Sequence, residues 1–307
     1  MSVAIVAGAN GAIGRHLVAE LRAAGHQVGG LGHGPNAWEG ETPIDFWAPG
    51  EIDSASLELI TRRLGPADIL VNAAGGASVP RSFSAPEADF RRTVSSTVRL
   101  LEWLRTASPA TRFVCLSSAA VYGTGHAEPI PEDAAPQPVS PYGFHKLMAE
   151  QATRSWARNF GVRAVIVRLF SVYGPGLRKQ LVYELLQKLA VGPPRLDLAG
   201  TGEEARDWLW IADAARLMTE TAAVASEAVP VVNGCTGIGR SVADVAALMV
   251  RGFGRDTEVR FDGAPRTGDP PRLVGSVARL REIGFRPRVG LEEGLDRLVR
   301  AARSAEP

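Results

Sequence analysis

A tyrosine and a lysine lie four residues apart in the stretch SPYGFHK, at Tyr142 and Lys146. On a helix this spacing places both side chains on one face, one turn apart. A tyrosine is a poor base at neutral pH unless nearby positive charge favours its phenolate form. The pair therefore predicts proton transfer at a substrate oxygen, which hydride transfer at a carbinol carbon requires. The alternative is a purely structural pair.

Candidate partners for this pair stand just after predicted strands. The runs VAIVAG, ADILVNAAG, TRFVCLSSA and VRAVIVRLF are predicted as buried strands, and they end near Gly8, Ala74, Ser118 and Phe170. Parallel α/β sheets bind ligands beyond the carboxyl ends of their strands. We therefore expect these residues at the functional site, where a strand-end hydroxyl positions the substrate oxygen.

A glycine-rich turn follows the first predicted strand. The stretch GANGAIG places Gly8, Gly11 and Gly14 between that strand and a predicted helix. Glycines there permit a tight turn and a close approach of the backbone to a pyrophosphate. The helix N-terminus adds free N–H groups and about half a positive charge. With a strand before it and a helix after it, the turn predicts a dinucleotide cofactor; the alternative is a plain glycine turn.

The choice between NAD and NADP depends on the end of the second predicted strand, HQVGGLG. An acid at that place binds the ribose 2′-hydroxyl of NAD, but Gly32 and His33 stand there without a carboxylate. With Arg15 just after the glycine turn, these residues favour NADP slightly. The alternative is that Arg15 is a solvated helix residue and His33 a loop residue. Asp45, in PIDF, is expected to follow a third short strand, within reach of the adenine.

Short apolar runs alternate with helical patterns along the first half of the chain, and the pattern becomes less regular after residue 174. Alternating strands and helices predict a parallel sheet covered on both faces. We therefore expect an α/β protein with a Rossmann-type, doubly wound parallel sheet and a smaller C-terminal α/β lobe. Helices are predicted at 13–24, 52–64, 88–106, 141–160, 179–190, 242–250 and 291–302.

Composition limits the function classes. The chain has 307 residues and a net charge of +1, so neither nucleic acid nor an acidic membrane surface is an expected partner. Two isolated cysteines, Cys115 and Cys235, give neither a disulfide framework nor a metal-ligand spacing, and no metal is expected. No signal peptide or membrane-spanning run is recognisable, so cytoplasmic localisation is expected.

The order of the motifs resembles the extended short-chain dehydrogenase/reductase family, in particular its nucleotide-sugar epimerase/dehydratase/reductase branch. GANGAIG is similar to the glycine loop of that family, SSAAVYG and YGFHK to its catalytic blocks, and IGFRPRVGLEEGL to its C-terminal signature. Further similar blocks follow in the family's order: NAAG, ASVPRSF, RLFSVYGPG, ARDWLWIADAA, NGCTG and GDPPRL. The resemblance covers essentially the whole chain.

The resemblance implies roles for individual residues. Tyr142 is expected to be the acid/base, and Lys146 to favour its phenolate and hold the nicotinamide ribose. Ser118 is expected to complete the catalytic set, with Ser117 as the alternative, and His145 to lie on the helix surface or at a dimer face. Cofactor contacts are expected from Gly8, Gly11, Ala12, Ile13, Gly14, Arg15, His33, Asp45, Phe46, Ala73, Ala74, Gly75, Tyr142, Lys146, Phe170 and Val172. Substrate contacts are expected from Ser78, Val79, Arg81, Ser118, Ala119, Ser171, Arg178, Lys179, Arg206 and Arg266.

Several family positions differ in this sequence. The Asp-Glu pair that dehydratases carry after the catalytic hydroxyl residue is replaced by Ala119 and Ala120, which cannot act as acid or base, so 4,6-dehydration is not expected. Thr93 and Ser171 replace two asparagines of the family, the second of which usually contacts the substrate diphosphate. Basic residues can compensate, because guanidinium forks fit phosphate oxygens; the alternative is solvated surface charge. These basic residues are Arg178, Lys179, Arg206 and Arg266.

The motifs predict hydride transfer with a nicotinamide cofactor, and the resemblance implies an NAD(P)-dependent oxidoreductase that acts at a sugar carbon, C4, of a nucleoside-diphosphate sugar. The first expectation is a 4-ketoreductase, and the alternative is a 4-epimerase that retains NAD. A non-catalytic redox sensor that binds the cofactor is less expected, because Tyr142 and Lys146 are both present.

The resemblance also implies an organisation into domains and subunits. A homodimer is expected through a four-helix bundle, built from the predicted helices 88–106 and 141–160. The predicted NAD(P)-binding domain is 1–170 with a returning segment near 207–235, and the predicted substrate-binding lobe is 171–206 and 236–307.

Overall fold

The structure, a computed structural model, describes residues 2–34, 44–76, 78–127, 129–264 and 270–304. The strands are β1 (Val3–Ala7), β2 (Gln27–Gly32), β3 (Phe46–Pro49), β4 (Ile69–Asn72), β5 (Arg112–Ser118), β6 (Ala164–Leu169), β7 (Ser171–Tyr173), β8 (Arg195–Leu198), β9 (Ala205–Trp210), β10 (Val231–Gly234), β11 (Gly239–Ser241), β12 (Glu258–Phe261) and β13 (Arg272–Leu273). The α-helices are α1 (Ala12–Ala23), α2 (Ser54–Leu64), α3 (Val79–Ser84), α4 (Pro86–Phe90), α5 (Ser96–Ala107), α6 (Pro141–Phe160), α7 (Gln180–Ala190), α8 (Ile211–Thr221), α9 (Val242–Phe253), α10 (Ala278–Glu282) and α11 (Leu291–Ser304).

A seven-stranded parallel sheet lies at the centre, in the order β10-β6-β5-β4-β1-β2-β3. Strand β1 is buried along its whole length, because an apolar run without polar alternation needs cover on both faces. One face packs against α1 and α8, and the other packs against α2, α5 and α6. The predicted Rossmann-type, doubly wound sheet is therefore confirmed.

Glycines in β2 allow neighbouring side chains to pack directly on its backbone. A Cβ on Gly29 would lie 2.3 Å from Cγ2 of Ile60, and a Cβ on Gly30 would lie 2.4 Å from Cδ1 of Ile44. Glycine weakens a strand, but it is also the residue that permits such close approach. The strand predicted at this glycine-rich position is therefore present.

Two predicted helices have different outcomes. Helix α6 begins and ends where the sequence predicts, because Ser140 caps its N-terminus and Gly161, at φ 72°, ends it. The helix predicted at 88–106 is divided instead into α4, a π-helical turn at Arg91–Ser95 and α5. Such turns are frequent at functional sites, and here Oγ1 of Thr93 accepts a hydrogen bond of 2.8 Å from the backbone N of Gly76.

The C-terminal lobe has its own sheets and its own core. Strands β11, β9 and β13 form one sheet, with β7 paired to β9, and β12 pairs with β8. The strands β7 and β13 have only three and two residues, which is too short for a periodic sequence pattern. Helices α7, α9 and α11 cover this core, which includes Tyr173, Leu185, Trp208, Met249 and Leu295.

The two parts of the chain are interleaved in sequence. Helix α8 packs against α1, and β10 forms one edge of the large sheet, although both follow β7 to β9 of the smaller lobe along the chain. The predicted domain bounds stay a prediction. Within the described ranges, no helix is long and apolar enough to cross a membrane.

The two cysteines lie in the protein interior. Cys115 and Cys235 are both buried, and burial raises the pKa of the Cys115 thiol to about 11. Burial also raises the pKa of Cys235 well above its ordinary value. Inert core positions explain both residues. In the part of the chain that the structure describes, no cluster of His, Cys, Asp or Glu side chains is suited to a metal ion.

Candidate active site

The glycine turn forms a tight backbone cradle between β1 and α1. A Cβ on Gly8 would lie 2.8 Å from the backbone N of Ala74, and a Cβ on Gly14 would lie 2.2 Å from the carbonyl oxygen of Gly8. Gly8 has φ +80°, a conformation that strains residues with side chains. Gly11 provides no side-chain cap to α1, whose first turn has no acidic residue. The N–H groups of that turn can therefore face an anion.

Residues from neighbouring strand ends surround this cradle. Ala73, Ala74 and Gly75 directly follow β4, the neighbour of β1 in the sheet, and Phe170 and Val172 lie just beyond β6. Ala12 and Ile13 are half-buried in the first turn of α1, and Arg15 is exposed there. A cradle that a Cβ would fill is what a pyrophosphate needs, so the residues present fit a dinucleotide.

The carboxylate of Glu51 lies near the end of β2, although the residues that follow β2 in the sequence include no acid at that place. Oε1 of Glu51 is 3.7 Å from Nε2 of His33, and both side chains are exposed. Asn10 donates from Nδ2 to the carbonyl oxygen of His33 at 3.0 Å, and Nε of Arg15 donates to the carbonyl oxygen of Asn10 at 3.3 Å. Sequence reasoning missed Glu51 because it follows β3, which the parallel pairing of β2 and β3 brings alongside.

The predicted placement of Asp45 after a third strand is wrong. Asp45 precedes β3 instead of following it, and Phe46 is the first residue of that strand, opposite Gly29. Oδ2 of Asp45 accepts a hydrogen bond of 2.7 Å from the backbone N of Val28, and the carboxylate pairs with Arg22. Because strands rise about 3.3 Å per residue, Asp45 lies toward the end of the sheet away from the cradle, whereas Phe46 is level with the middle of β1.

Tyr142 and Lys146 lie one turn apart at the start of α6. Oγ of Ser140 accepts a hydrogen bond of 3.2 Å from the backbone N of Gly143, and a proline is the first helical residue, which fixes where the helix begins. Nζ of Lys146 lies 5.9 Å from the centroid of the Tyr142 ring and donates to the carbonyl oxygen of Leu116 at 2.9 Å. The Lys146 side chain, buried in α6, is therefore tied to β5.

The two serines at the end of β5 have different partners. Ser118 is half-buried, and its Oγ accepts a hydrogen bond of 3.2 Å from the backbone N of Ala120, which caps a short 3₁₀ turn. Ser117 is buried and donates to Oε1 of Glu150 at 2.5 Å. This difference in burial and in hydrogen-bond partner favours Ser118 over Ser117 as the hydroxyl that would face a substrate. Ala119 follows it, buried, at the position where dehydratases carry an acid.

His145 does not lie on the helix surface, and this prediction is corrected. The residue is buried, and its Nδ1 donates to Oδ2 of the buried Asp89 at 2.6 Å. A Cβ on Gly76 would lie 1.8 Å from Oδ1 of Asp89, and a Cβ on Gly75 would lie 3.2 Å from Nζ of Lys146. The backbone turn after β4 therefore lies between α4 and α6, and His145 and Asp89 join these two helices beside it.

Helix α3, which carries predicted substrate residues, contacts the start of α6. Oγ of Ser82 accepts a hydrogen bond of 3.0 Å from the backbone N of Tyr142 and donates to the carbonyl oxygen of Val79 at 2.7 Å. Ser78 immediately precedes α3, and Arg81 lies within it, exposed. This contact brings the predicted substrate segment next to the tyrosine.

A half-buried lysine follows β7 on the same side of the site. Burial, followed by the charges of Lys146 and Arg81, lowers the pKa of Lys179 below the ordinary value of 10.5. Gln180 follows it with φ +70°, which is unusual for a residue other than glycine and is often found at functional sites. Lys179 and Tyr183 line a small cavity at the start of α7. Lys179 therefore adds positive charge to the region around Lys146.

The basic residues expected at the substrate diphosphate differ in their surroundings. Arg206, in β9, is 8% exposed, and its Nη1 donates to the carbonyl oxygens of Ala205 and Pro271 at 2.8 and 3.2 Å. Arg178 is exposed, and Ser171 begins β7 in a half-buried position. The predicted contact of Arg266 lies outside the described residues.

The chain is similar to nucleotide-sugar enzymes in sequence and in structure. Residues 4–233 match the NAD dependent epimerase/dehydratase family. The chain is 31% identical over 276 residues to UDP-glucose 4-epimerase of Azospirillum brasilense, which covers 84% of this chain and 78% of the relative. It is 28% identical over 304 residues to GDP-6-deoxy-D-mannose reductase of Pseudomonas aeruginosa, which covers 94% and 93%. The structure of UDP-glucose 4-epimerase from Thermotoga maritima with UDP-glucose superimposes with a TM-score of 0.89, 26% identity, and coverage of 99% and 100%.

These matches agree with the motifs along the sequence. The family match spans the glycine turn, the strand-end serines and the Tyr142–Lys146 pair, and it confirms the resemblance to extended short-chain dehydrogenases/reductases. The named relatives are epimerases and a reductase of nucleotide sugars, so the chain is an enzyme of this group. It belongs to the NAD dependent epimerase/dehydratase family.

Proposed function

We propose that the enzyme is an NAD-dependent 4-epimerase of a nucleoside-diphosphate sugar, most directly a UDP-hexose, and that it keeps its cofactor bound between turnovers. The observation that carries this choice is the position of Glu51 beside His33. A carboxylate there can accept a hydrogen bond from the ribose hydroxyl of NAD and repels the 2′-phosphate of NADP. The similarity to UDP-glucose 4-epimerases supports the reaction.

A 4-ketoreductase that uses NADPH, which the sequence placed first, is the second candidate. It would take a 4-keto sugar and release oxidised cofactor. Arg15 near the end of β2 and the similarity to GDP-6-deoxy-D-mannose reductase favour it. A redox sensor without turnover would not need the fixed arrangement of Tyr142 and Lys146.

The proposed proton transfer uses three side chains. In the oxidation step, the phenolate oxygen of Tyr142 accepts the proton of the C4 hydroxyl, while Oγ of Ser118 holds that oxygen by a hydrogen bond. Lys146, anchored on β5, supports the phenolate by its charge. In the return step, Tyr142 gives the proton back to the oxygen of the 4-keto sugar. NAD, held by the cradle and Lys146, would supply the hydride chemistry at C4, and return of the hydride to the opposite face of the sugar would give the 4-epimer.

The residues that would hold the cofactor are those of the cradle and of the neighbouring strand ends. The N-terminus of α1 would face the pyrophosphate, and Lys146 would hold the nicotinamide ribose. With Asp45 removed from the set and Glu51 added, the proposed contacts are Gly8, Gly11, Ala12, Ile13, Gly14, Arg15, His33, Phe46, Glu51, Ala73, Ala74, Gly75, Tyr142, Lys146, Phe170 and Val172.

The nucleotide sugar would lie between α3 and the C-terminal lobe. The cations on that side suit a diphosphate, since charge-assisted hydrogen bonds to phosphate are strong. The proposed contacts are Ser78, Val79, Arg81, Ser118, Ala119, Ser171, Arg178, Lys179, Arg206 and Arg266. Dehydration is not proposed, because Ala119 and Ala120 offer no acid or base.

We also propose a homodimer in which the segment from α4 to α5 and helix α6 of two copies form a four-helix bundle. Phe144 and Met148 are 48% and 45% exposed on one face of α6, and Phe90 is 38% exposed at the end of α4. An exposed apolar patch of this kind is typical of a subunit interface. The variant Phe144→Glu should elute as a monomer in size-exclusion chromatography with light scattering. The predicted cytoplasmic localisation remains a prediction.

The proposed function is tested by the cofactor that the purified protein carries and by turnover without added cofactor. Mass spectrometry of the denatured protein should find near-stoichiometric NAD⁺, and intact protein should convert UDP-glucose or a related UDP-sugar to its 4-epimer. A protein that carries no nucleotide, and turns over a 4-keto sugar only when NADPH is supplied, would contradict the epimerase and favour the reductase.

A further inference from the structure

A buried ion pair lies directly behind the catalytic residues and is not part of the proposed proton transfer. Glu150 of α6 and Arg168 of β6 have side chains 1% and 3% exposed. Nε and Nη2 of Arg168 donate to the two carboxylate oxygens of Glu150 at 2.9 and 2.7 Å. A buried ion pair of this kind contributes little net stability compared with apolar residues of similar volume. Its position therefore calls for a reason other than stability.

Glu150 connects the helix of Tyr142 to the strand of Ser118. It lies one turn after Lys146 on α6, so both side chains face the sheet. Its Oε1 accepts the hydroxyl of Ser117 at 2.5 Å, and Ser117 immediately precedes Ser118. Lys146 donates to the carbonyl oxygen of Leu116 at 2.9 Å. Helix α6 is thus bonded to β5 at the two residues just before the catalytic serine.

Arg168 is held in turn by groups from two other segments, one of which is bonded to β10. Its Nη1 donates to the carbonyl oxygen of Glu132 at 3.1 Å, and its guanidinium lies 4.7 Å from the centroid of the Tyr122 ring. The hydroxyl of Tyr122 donates to Oδ1 of Asn233 in β10 at 2.6 Å. Each polar group in this chain of contacts has a partner, which makes the arrangement rigid. Glu150 is therefore fixed with respect to β5, β6 and β10.

We propose that Glu150 and Arg168 are positioning residues that set the separation between Ser118 on β5 and the Tyr142–Lys146 pair on α6. The pair is neutral as a whole, so it acts through geometry and not through net charge at the site. The inference rests on the proposed function for the roles of the three catalytic residues. Misplacement of reacting groups by about 1 Å can reduce a rate by about a hundredfold.

The experiment compares variants that break this connection in different ways. Ser117→Ala removes only the hydroxyl that meets Glu150. Glu150→Leu combined with Arg168→Met removes the ion pair but keeps the site's net charge and a filled interior. Thr111→Val is the matched control, because it removes a buried hydroxyl bond, to the carbonyl oxygen of Ala67 at 2.6 Å, at the other end of β5.

Three quantities are measured for each variant: kcat for epimerisation, Kd for NADH on protein stripped of nucleotide, and Tm. Ser117→Ala and the paired replacement should lower kcat about tenfold with KM nearly unchanged, and raise Kd for NADH about threefold because Lys146 shifts. Thr111→Val should change kcat and Kd less than twofold. Adding Ser117→Ala to the paired replacement should lower kcat no further than the larger of the two separate effects, since both remove the hydrogen bond between Ser117 and Glu150.

The proposal is overturned if Ser117→Ala keeps both kcat and Kd within twofold of wild type, or if Thr111→Val shares its losses. If the paired replacement does not fold, Ser117→Ala and its control decide alone. Failure of the proposed function would be recognised by different observations. Wild-type protein would show no epimerisation, or Tyr142→Phe would retain it. Kd for NADH needs no turnover, so it judges the positioning role in that case as well.

Discussion

The proposed proton-transfer end of the site and its proposed substrate end are built in different ways. Close to Tyr142, the side chains of Lys146 and Ser117 make buried hydrogen bonds between α6 and β5. These bonds lie between the seven-stranded sheet and the helix that covers it. At the substrate end, Arg178 is exposed, and Lys179 precedes a residue with positive φ at the start of α7. The strands there, such as β7 and β13, have three and two residues.

Under the proposed function, each end would determine a different part of the reaction. Long elements with buried polar contacts hold the groups that must keep a fixed separation during proton and hydride transfer. Short strands and side chains near solvent hold groups that can change without loss of the fold. Substitutions at the proton-transfer end should therefore lower kcat, whereas substitutions at the substrate end should raise KM.

The largest effect is expected at the proton-transfer end, from Tyr142→Phe. Loss of the acid/base should lower kcat about 10³-fold while the protein still retains NAD⁺. The control is Tyr183→Phe, because Tyr183 lines the neighbouring cavity at the start of α7 and should change kcat less than twofold. If Tyr142→Phe epimerises the sugar at a near wild-type rate, Tyr142 is not the acid/base, and the comparison between the two ends no longer holds.

At the substrate end, Arg206→Lys should raise KM for the nucleotide sugar about tenfold and leave kcat nearly unchanged, because lysine lacks the guanidinium fork. Arg251→Lys, at an exposed position of α9, is the matched control and should give a change below twofold. Steady-state kinetics separate the two parameters. If Arg206→Lys lowers kcat and leaves KM unchanged, Arg206 does not belong to the substrate end.

His145 tests whether the buried contacts of the proton-transfer end extend to the turn after β4. His145→Ala leaves Asp89 buried without its 2.6 Å partner, and it should weaken NADH binding about fivefold as the turn at Gly75 and Gly76 loosens. His145→Asn keeps a donor near Nδ1 and should restore binding to within twofold of wild type. Equal losses in both variants would show that the hydrogen bond does not matter.

The smallest effect concerns the pH dependence of the substrate end. Burial and two neighbouring cations lower the pKa of Lys179 below 10.5, so it loses its charge at a lower pH than an ordinary lysine. KM should therefore rise as pH increases toward that value, and Lys179→Met should raise KM about threefold at pH 7 and abolish this rise. Lys188→Met, at an exposed position of α7, should keep the wild-type profile; a profile in Lys179→Met identical to wild type contradicts the assignment.

The sequence alone was sufficient to predict the large sheet and the central residues of the proposed proton-transfer end. Unbroken apolar runs such as β1, and the cap and proline that start α6, are local signals, and they located the glycine turn and the Tyr142–Lys146 pair. The family match confirms the fold and class that these signals predicted. The roles of the individual catalytic residues remain predictions.

The sequence alone was insufficient to predict contacts between residues that are distant along the chain. His145 and Asp89 are 56 residues apart, and no local pattern links them. Glu51 lies near His33 only because β3 pairs with β2. Asp45 was misplaced because nothing in PIDF marks where the strand begins, and strand boundaries are the least reliable part of such predictions.

The most direct test of the proposed 4-epimerase follows the hydrogen on C4 of the sugar. The enzyme is given the UDP-hexose that it turns over fastest, labelled with deuterium at C4, without added cofactor, and the product is analysed by NMR. If the hydride is removed and returned by the same retained cofactor, the 4-epimer should keep deuterium at C4. Loss of deuterium from C4 of the product, or its appearance in released reduced cofactor, would contradict the account.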